Sequence, residues 1–383
     1  MLAPEPFFQP RGTPISVYFR LKALADLGHR TDLLTYPLGE DVALGGLTIR
    51  RVPNAIGIRR VKIGPSLAKI PLDAMLFLKA FAALLRRRYD LIFSHEEAAF
   101  IGLVLGRLFR VPHLYDMHSS LPQQLRNFDF SRSPLLHRLF VVLERAVLRG
   151  SKSVIVICRD LLDTVAGQGF GEKAVFLENF IDFSDFEDGG FSEAEVAAAK
   201  HSVAPRGEKV VLYAGNYEPY QGVPLLVEAF ARAGEGAVLL LVGGSKADQE
   251  PVRKRAAELG IAGRLALVEK VPPRRVPLFI ALADVLVSPR VSGTNTPLKI
   301  YSFLKSGKPF VATNLWTHTQ VLDERVAVLA DPEPEALGRA IAFALASDEA
   351  RDRARAAADL ADREYVYPRY LEKMAAALRR ATG

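Results

Sequence analysis

Short apolar runs alternate with longer helical patterns along nearly the whole chain. The first series comprises TDLLTY (31–36), DLIFSH (90–95), PHLYDM (112–117), SVIVIC (153–158) and AVFLEN (174–179). The second series comprises KVVLYAG (209–215), AVLLLVG (237–243), LALVEK (265–270), DVLVSP (284–289) and PFVATN (309–314). These runs are apolar throughout, which is typical of parallel strands buried on both faces. The helical segments between them predict βαβ crossovers and doubly wound sheets.

A polar segment at 183–209 separates the two series and contains Gly189-Gly190 and Pro205, so it indicates a linker with a short helix. A chain of 383 residues is also longer than one ordinary core. We therefore predict an α/β protein of two Rossmann-like doubly wound domains, 1–185 and 186–383, facing a central cleft. A helical pattern from about Glu335 to Thr382, which Pro368 breaks, closes the second domain, and its last helix should pack back toward the first.

The beginning of the chain is unusual for such a fold. Only Met1-Leu2-Ala3 precede PEPFFQPRGTP, where a strand of about five residues is typical. Either the first strand is two or three residues long, or part of it precedes Met1, and we favour the second. The segment lacks the pattern of a secretory signal, and no apolar run approaches the ~20 residues of a membrane span. Because the single Cys158 also favours a reducing compartment, we expect a cytoplasmic protein.

The positive charge of the chain is concentrated in one segment. The net charge is +7, yet residues 50–90 alone carry +8. Its basic residues are Arg50, Arg51, Arg59, Arg60, Lys62, Lys69, Lys79, Arg86, Arg87 and Arg88. They are interleaved with apolar residues and accompanied by PLDAMLFLKAFAALL (71–85), a combination that favours an anionic membrane surface over nucleic acid as the partner. The alternative is a core helix preceded by a solvated basic loop.

Candidate ligand-binding turns follow several of the predicted strands. Three contain glycine, at QPRGTP (9–14), YAGN (213–216) and VGGS (242–245), but none is a dinucleotide fingerprint or a P-loop. A richer segment, SPRVSGTNTPLKIYSFLKSGKPFVATN, spans 288–314, and Pro297 fits the first turn of a helix. Lys299 and Arg290 would add positive charge where a diphosphate could lie. The alternative is a capped helix with two surface cations.

This segment strongly resembles the donor-binding segment of glycosyltransferase family 4, the retaining transferases of GT-B fold. Further pieces agree in order with that family: ALADLGHRTDLLT (23–35), YDMH (115–118), ENFID (178–182), YAGNYEPYQGVPLLVEAF (213–230) and LLLVGG (239–244). Phe180 stands where the family usually has glycine. The resemblance covers nearly the whole chain. It implies a GT-B architecture and a retaining glycosyltransferase of cell-envelope glycolipid or polysaccharide synthesis.

The resemblance also implies roles for individual residues. His118, Lys299 and Arg290 would be catalytic. From their place at a strand end rather than from the resemblance, His95 and Glu96 are expected to contact the acceptor together with Arg11, and the alternative is a structural role. The donor would be held by Gly12, Thr13, Gly215, Asn216, Gln221, Gly244, Gly293, Thr294, Asn295, Thr296, Pro297, Leu298 and Ser302. A nucleotide-diphosphate sugar would be the substrate, a glycan or lipid-linked molecule the acceptor, and no cofactor is expected. No DxD motif or His/Cys cluster with metal-ligand spacing occurs, so we expect no tightly bound metal.

Four positions depart from the family pattern. Asn216 and Gln221 replace an Arg and a Lys that commonly hold the diphosphate, and Thr294 and Ser302 replace a pair of glutamates. Two explanations remain open: the donor is held through Lys299, Arg290 and backbone N–H groups, or catalysis has been lost. Two other functions also remain open, a nucleotide-sugar 2-epimerase on the same fold and a non-catalytic binding module.

Overall fold

A computed structural model describes residues 1–8, 12–54, 57–59, 61, 69–123, 134–180 and 190–383. It divides into two compact units. Unit 1 comprises Met1–Phe180 and Tyr367–Gly383, and unit 2 comprises Ile181–Val366. In the described residues no helix combines the length and apolar character that crossing a membrane requires.

Unit 1 is built on a seven-stranded parallel sheet. Its strands are β1 (Leu2–Ala3), β2 (Thr31–Thr35), β3 (Leu47–Arg51), β4 (Ile92–His95), β5 (His113–Met117), β6 (Ser153–Val156) and β7 (Ala174–Phe176). Its first helices are α1 (Gly12–Asp26), α2 (Ile70–Arg86), α3 (Ala99–Phe109), α4 (Pro134–Gly150) and α5 (Arg159–Gly167). The strand order is β3-β2-β1-β4-β5-β6-β7, so the order reverses between β1 and β4. β1 has the two-to-three-residue length that the sequence allowed.

Unit 2 repeats this plan with a six-stranded parallel sheet. It contains α6 (Glu193–Val203), β8 (Lys209–Ala214), α7 (Val223–Ala231), β9 (Ala237–Val242), α8 (Lys246–Glu258), β10 (Leu265–Val268) and α9 (Val276–Leu282). It continues with β11 (Val285–Ser288), α10 (Lys299–Lys305), β12 (Phe310–Thr313), α11 (Trp316–Thr319), β13 (Val328–Ala330), α12 (Pro334–Ala346) and α13 (Asp348–Glu364). The order β10-β9-β8-β11-β12-β13 reverses between β8 and β11. Reversal points of doubly wound sheets are where ligands bind, outside the carboxyl ends of the strands.

The last helix, α14 (Tyr367–Thr382), belongs to unit 1 and packs on α1 and on β5, β6 and β7. The sequence pattern had grouped it with the second domain and had placed the boundary at 185/186, whereas the first division falls after Phe180. The helical pattern expected from about residue 335, with a break at Pro368, is three helices: the chain leaves helical geometry at Ser347 and again at Tyr365, and Pro368 lies in the first turn of α14.

An aromatic cluster holds α14 where the chain leaves and re-enters unit 1. The Phe180 ring lies 5.2 Å from Phe19, 5.6 Å from Tyr367 and 5.3 Å from Tyr370, measured between ring centroids. Such ring pairs add to the free energy gained by burial. Phe180, at a position where glycine was expected from the resemblance, therefore ties the end of β7 to the last helix.

All ten predicted strands form, and each sheet carries apolar clusters on both faces. The sequence missed β3 and β13, which lie at the edges of the two sheets. β3 is only partly buried and has no continuous apolar run, whereas β13 lies within the apolar run VAVLA (326–330), which the sequence analysis did not assign to a strand. The predicted linker helix is α6, which begins with a capping box between Ser192 and Glu195.

Candidate functional site

The reversal point of unit 2 collects most of the residues proposed from the sequence. Gly215 and Asn216 follow β8, Gly244 follows β9, and the segment from Arg290 to Leu298 follows β11. α10 begins at Lys299, two residues later than the expectation that Pro297 stands in its first turn. Because this helix has only seven residues, the chemistry of the site rests mainly on side chains.

Lys299 is the most unusual residue of this group. Its Nζ is buried, has no hydrogen-bond partner among the described residues, and lies 4.0 Å from the centroid of the Tyr213 ring. Burial, reinforced by the nearby Arg290 guanidinium, holds the pKa of Lys299 well below its usual range. The ammonium group therefore lies in a site that lacks a negative partner.

Gly215 brings its backbone against this ammonium group. A Cβ atom at Gly215 would lie 2.8 Å from Lys299 Nζ and 2.7 Å from Tyr213 Oη. Gly243, which follows the neighbouring strand and has φ +132°, lies against the backbone of Gly215, since a Cβ at position 243 would lie 1.8 Å from the Gly215 carbonyl oxygen. Gly243 therefore requires glycine, because a Cβ there would meet backbone at a positive φ, whereas a Cβ at Gly215 would meet only the ends of two side chains.

Arg290 is fixed in place by the loop that follows β11. Its guanidinium donates to the Asn295 carbonyl at 2.7 Å and to Thr317 Oγ1 at 2.9 Å, and it lies 5.1 Å from the centroid of the Tyr220 ring. The Nε of Arg290 is buried and has no hydrogen-bond partner within the described ranges. Burial lowers the pKa of the Arg290 guanidinium. No carboxylate of the described residues forms an ion pair with Arg290 or Lys299.

Other buried polar atoms of the loops that follow β8 and β11 also have no hydrogen-bond partner among the residues that the structure describes. They are Gln221 Oε1 and Thr296 Oγ1, both in side chains at least nine-tenths buried, and Tyr217 Oη. A buried polar atom without a hydrogen bond costs about 1–3 kcal/mol, so a native site with several of them, including two cations, is suited to a polar anionic ligand.

The remaining donor candidates of unit 2 shape the loop. Gln320 donates to the Thr294 carbonyl at 2.6 Å, and Gly293 adopts φ +115° beside the Arg290 guanidinium. Ser302 donates back to the Lys299 carbonyl at 2.9 Å within α10. Neither Thr294 nor Ser302 supplies the charge of the glutamates that they replace.

Unit 1 carries a second cluster at the ends of β4 and β5. His95 ends β4 and His118 follows β5, and their ring centroids are 4.2 Å apart. Both rings contact one carboxylate, since His95 Nδ1 and His118 Nε2 each lie 3.2 Å from Asp116 Oδ2. Asp116 thus determines how both imidazoles are oriented.

A buried arginine compensates the charge of Asp116. Arg20 Nε lies 3.1 Å from Asp116 Oδ2, and both side chains are fully buried. The guanidinium also donates to Tyr370 Oη at 2.5 Å and to the Leu177 carbonyl at 3.1 Å. Burial by itself would raise the pKa of Asp116, but Arg20 and His118 hold it well below its usual range.

The pKa values of the two histidines are shifted in opposite directions. Burial lowers the pKa of His118 to about 4, so its imidazole is neutral at pH 7. Burial acts against the charge of His95 as well, but contact with Asp116 raises its pKa overall.

Glu96 completes this cluster. It has φ +50°, a rare backbone conformation for a side chain of its type, and Ser119 donates to it at 2.7 Å. Burial raises its pKa to about 7. Atoms of His95, Glu96 and His118 that could bind a metal lie within 4.8 Å of one another, a grouping that sequence spacing did not reveal.

The other candidates of unit 1 are described less fully. Gly12 is the first residue of α1 and Thr13 is the second. Arg11, expected to contact the acceptor, lies outside the described residues. Sequence reasoning missed Arg20, Asp116, Tyr213 and Thr317. Asp116 and Tyr213 nevertheless lie in the quoted segments YDMH (115–118) and YAGN (213–216).

Two Rossmann-like units with parallel sheets, one of which presents buried cations at its reversal point, define a protein of GT-B fold. Solved structures agree. HepE from Anabaena, solved with UDP and glucose, matches with a TM-score of 0.76 and 18% identity over 99% of this chain and 98% of that one. Sucrose-phosphate synthase from Thermosynechococcus elongatus matches with a TM-score of 0.78 and 21% identity over 97% and 93%.

Family comparisons give the narrower assignment. Residues 18–179 match the family "Glycosyl transferase 4-like domain", and residues 197–360 match "Glycosyl transferases group 1". The chain therefore belongs to glycosyltransferase family 4 and is a glycosyltransferase. A phosphatidyl-myo-inositol mannosyltransferase of Mycolicibacterium smegmatis is 23% identical over 90% of this chain and 83% of its own length. A 2-deoxystreptamine N-acetyl-D-glucosaminyltransferase of Streptomyces fradiae is 29% identical over 53% and 49%.

Proposed function

We propose that the enzyme transfers a sugar from a nucleoside-diphosphate sugar to an acceptor hydroxyl with retention of anomeric configuration, in the cytoplasm and in cell-envelope glycolipid or polysaccharide synthesis. Unit 2 would bind the donor and unit 1 the acceptor. The pair of buried cations without carboxylate partners, Lys299 and Arg290, is the observation that carries this proposal. Complexes of HepE with UDP and with UDP-glucose support the class of donor.

A diphosphate would supply the negative charge that the site lacks. In water-excluded surroundings, fixed cations stabilise the charge that develops on the departing diphosphate. Lys299 and Arg290 would therefore act on the leaving group, together with the backbone N–H groups of residues 293–298. Asn216 and Gln221 carry no charge, so Lys299 and Arg290 would provide a larger share of the diphosphate binding than the resemblance suggests.

Retention places the chemistry on one face of the sugar. The bond between the anomeric carbon and the diphosphate oxygen breaks, and the bond to the acceptor oxygen forms on the same face. The proton of the acceptor hydroxyl passes to the leaving diphosphate. His118, which is neutral at pH 7, would hold a hydroxyl of the donor sugar, and His95 and Glu96 would contact the acceptor.

Lys299→Ala tests the placement of the diphosphate. Because a charge-assisted contact to phosphate contributes about 1.5–3 kcal/mol, the variant should bind UDP, GDP or ADP at least about tenfold more weakly than wild type in calorimetry. Its melting temperature without nucleotide should change little, since the substitution removes a buried amine that has no hydrogen-bond partner in the described part of the chain. Lys305→Ala, at an exposed position of the same helix, is the matched control and should bind normally.

Proton uptake gives a second readout of the same placement. The diphosphate should restore the charge of Lys299, whose pKa is low in the free protein. Binding should therefore take up protons at alkaline pH, measured as a dependence of the binding enthalpy on buffer ionisation, and Lys299→Met should abolish this dependence. Normal nucleotide binding by a folded Lys299→Ala protein would show that the diphosphate lies elsewhere.

We also propose that residues 50–90 contribute to contact with an anionic membrane, consistent with a lipid-linked acceptor. Within this segment several cations are occupied by internal contacts: Arg50 with Asp32, Arg51 with Asp41, and Lys69 with Glu97. Arg60 and Lys62 lie outside the described residues. Arg87 also lies 3.9 Å from Asp32, so the exposed charge that supports the proposal is at Arg59, Arg86 and Arg88.

A further inference from the structure

The ends of β4 and β5 bring together three side chains of types that bind metal ions. One potential ligand atom from each of His95, Glu96 and His118 lies within 4.8 Å of the other two. Ligand atoms of a tetrahedral zinc site are about 3.4 Å apart, so small side-chain rotations would close this group around an ion. Two imidazoles and one carboxylate are also the ligand set of zinc sites that keep a fourth position open.

His95 is oriented in the way that is typical of a metal ligand. Its Nδ1 lies 3.2 Å from Asp116 Oδ2, whereas its Nε2 is buried and has no hydrogen-bond partner in the described part of the chain. Histidines that bind metals usually donate from one ring nitrogen to a carboxylate, which fixes the ring and directs the lone pair of the other nitrogen at the ion. A buried ring nitrogen without a partner therefore points to a ligand that approaches Nε2.

Glu96 and His118 offer the remaining two ligands in suitable forms. Ser119 donates to Glu96 Oε2 at 2.7 Å and so holds the carboxylate, which is only partly buried and can be reached from solvent. His118 is neutral at pH 7 because burial lowers its pKa to about 4. Metal binding therefore does not have to displace a proton from the His118 imidazole.

The charges around the group favour an added cation. The Arg20 guanidinium compensates the Asp116 carboxylate, so these two buried charges cancel. Burial acts against a positive charge on His95, but contact with Asp116, together with two nearby glutamates, raises its pKa overall. Surroundings that favour a proton on a buried imidazole also favour a metal ion that takes the place of that proton.

We infer that His95, Glu96 and His118 bind a divalent transition-metal ion of the Zn²⁺ class, and that the bound ion inhibits sugar transfer. Imidazole ligands suit Zn²⁺, whereas Mg²⁺ and Ca²⁺ prefer oxygen ligands throughout. Inhibition rests on the proposed function, in which these three side chains contact the donor sugar and the acceptor; binding of the ion does not. The sequence led us to expect no tightly bound metal because it shows no ligand spacing, and here the ligands come from the ends of two different strands.

Titration of the full, chelator-treated chain with Zn²⁺ in a calorimeter tests the site. Wild type should bind Zn²⁺, and Mg²⁺ should not compete with it. His95→Gln and Glu96→Gln should each weaken binding by at least about tenfold, because changes in the groups behind metal ligands already cost about 10–100-fold in affinity. The matched control, His29→Gln with His201→Gln, removes two exposed histidines and should bind Zn²⁺ as wild type does.

Thermal unfolding gives a second readout. Zn²⁺ should raise the melting temperature of wild type and of the control but not that of His95→Gln, and cooperative melting without metal shows that each variant is folded. Absence of Zn²⁺ binding by wild type would overturn the inference. Zn²⁺ binding that both His95→Gln and Glu96→Gln retain would overturn it as well, since the ion would then be an adventitious one at the surface.

Inhibition is measured as release of nucleoside diphosphate from UDP-glucose, GDP-mannose or ADP-glucose. Zn²⁺ should reduce this release by wild type, and a chelator should restore it. Bound Zn²⁺ that leaves the release unchanged would overturn the inhibitory role. No release from any of these donors before Zn²⁺ is added would count against the proposed function and not against the metal site, on which calorimetry decides.

Discussion

Replacing Arg20 with methionine tests the network behind the two histidines. Arg20 and Asp116 are both fully buried, and the guanidinium also binds Tyr370 and the Leu177 carbonyl. Removing one member of a buried ion pair typically costs about 3–5 kcal/mol, because the other charge is left unpaired. Arg20→Met should therefore destabilise unit 1 by about that amount, or about 8–16 °C in melting temperature for a loss of about 4 kcal/mol.

The pH dependence of this loss identifies its cause. In wild type the pKa of Asp116 lies below the ordinary carboxyl value of 3.8. The Arg20–Asp116 pair therefore stabilises the fold above pH 3.8, and this stabilisation is lost only as the pH falls through the lower pKa that Asp116 has in the folded protein. Without Arg20, burial should raise the pKa of Asp116. Acidification should then neutralise the Asp116 carboxylate, which has lost its guanidinium partner. The destabilisation by Arg20→Met should therefore be larger at neutral than at acidic pH.

Calorimetric unfolding at several pH values gives both quantities. Lys22→Met is the matched control, since Lys22 lies on the same helix but forms a solvent-exposed pair with Asp26, whose removal should cost about 0.5 kcal/mol. The double variant Arg20→Met, Asp116→Asn should lose less than the sum of the single changes. A destabilisation below about 1 kcal/mol, or one that does not change with pH, would refute the buried-charge explanation.

Two further predictions concern Glu96 and Gly243. The pKa of Glu96 is raised from 4.5 to about 7, so ionisation of this carboxyl opposes folding increasingly as the pH rises from 4.5 to about 7. Glu96→Gln should therefore raise the melting temperature above about pH 7 but not below pH 4.5. An equal change of melting temperature at both pH values would contradict this explanation. Gly243→Ala should reduce stability and nucleotide binding more than Gly234→Ala. Both glycines have positive φ, but only a Cβ at position 243 would meet a backbone atom. Equal losses of stability in urea unfolding and of nucleotide affinity in calorimetry would exclude the steric explanation.

The amino-acid sequence by itself determined the strands of both sheets and the candidate anion-binding segment. Central strands are buried on both faces, so their apolar runs, such as SVIVIC and AVLLLVG, can be recognised without knowledge of their neighbours. The segment from Arg290 to Lys299 was recognisable because its residues are consecutive. Edge strand β3 escaped because its partly exposed sequence LTIRR has no continuous apolar run, whereas β13 escaped although it lies within the apolar run VAVLA (326–330).

Only the tertiary structure decided which charges are compensated. Arg20 meets Asp116 across 96 positions and Tyr370 across 350, and the cations at Arg50 and Lys69 find acidic partners outside their own segment. Lys299 finds no such partner among the described residues, although its sequence neighbours resemble an ordinary helix start. The energy of a charge depends on burial and on the distance to other charges, and both are set by folding rather than by sequence separation.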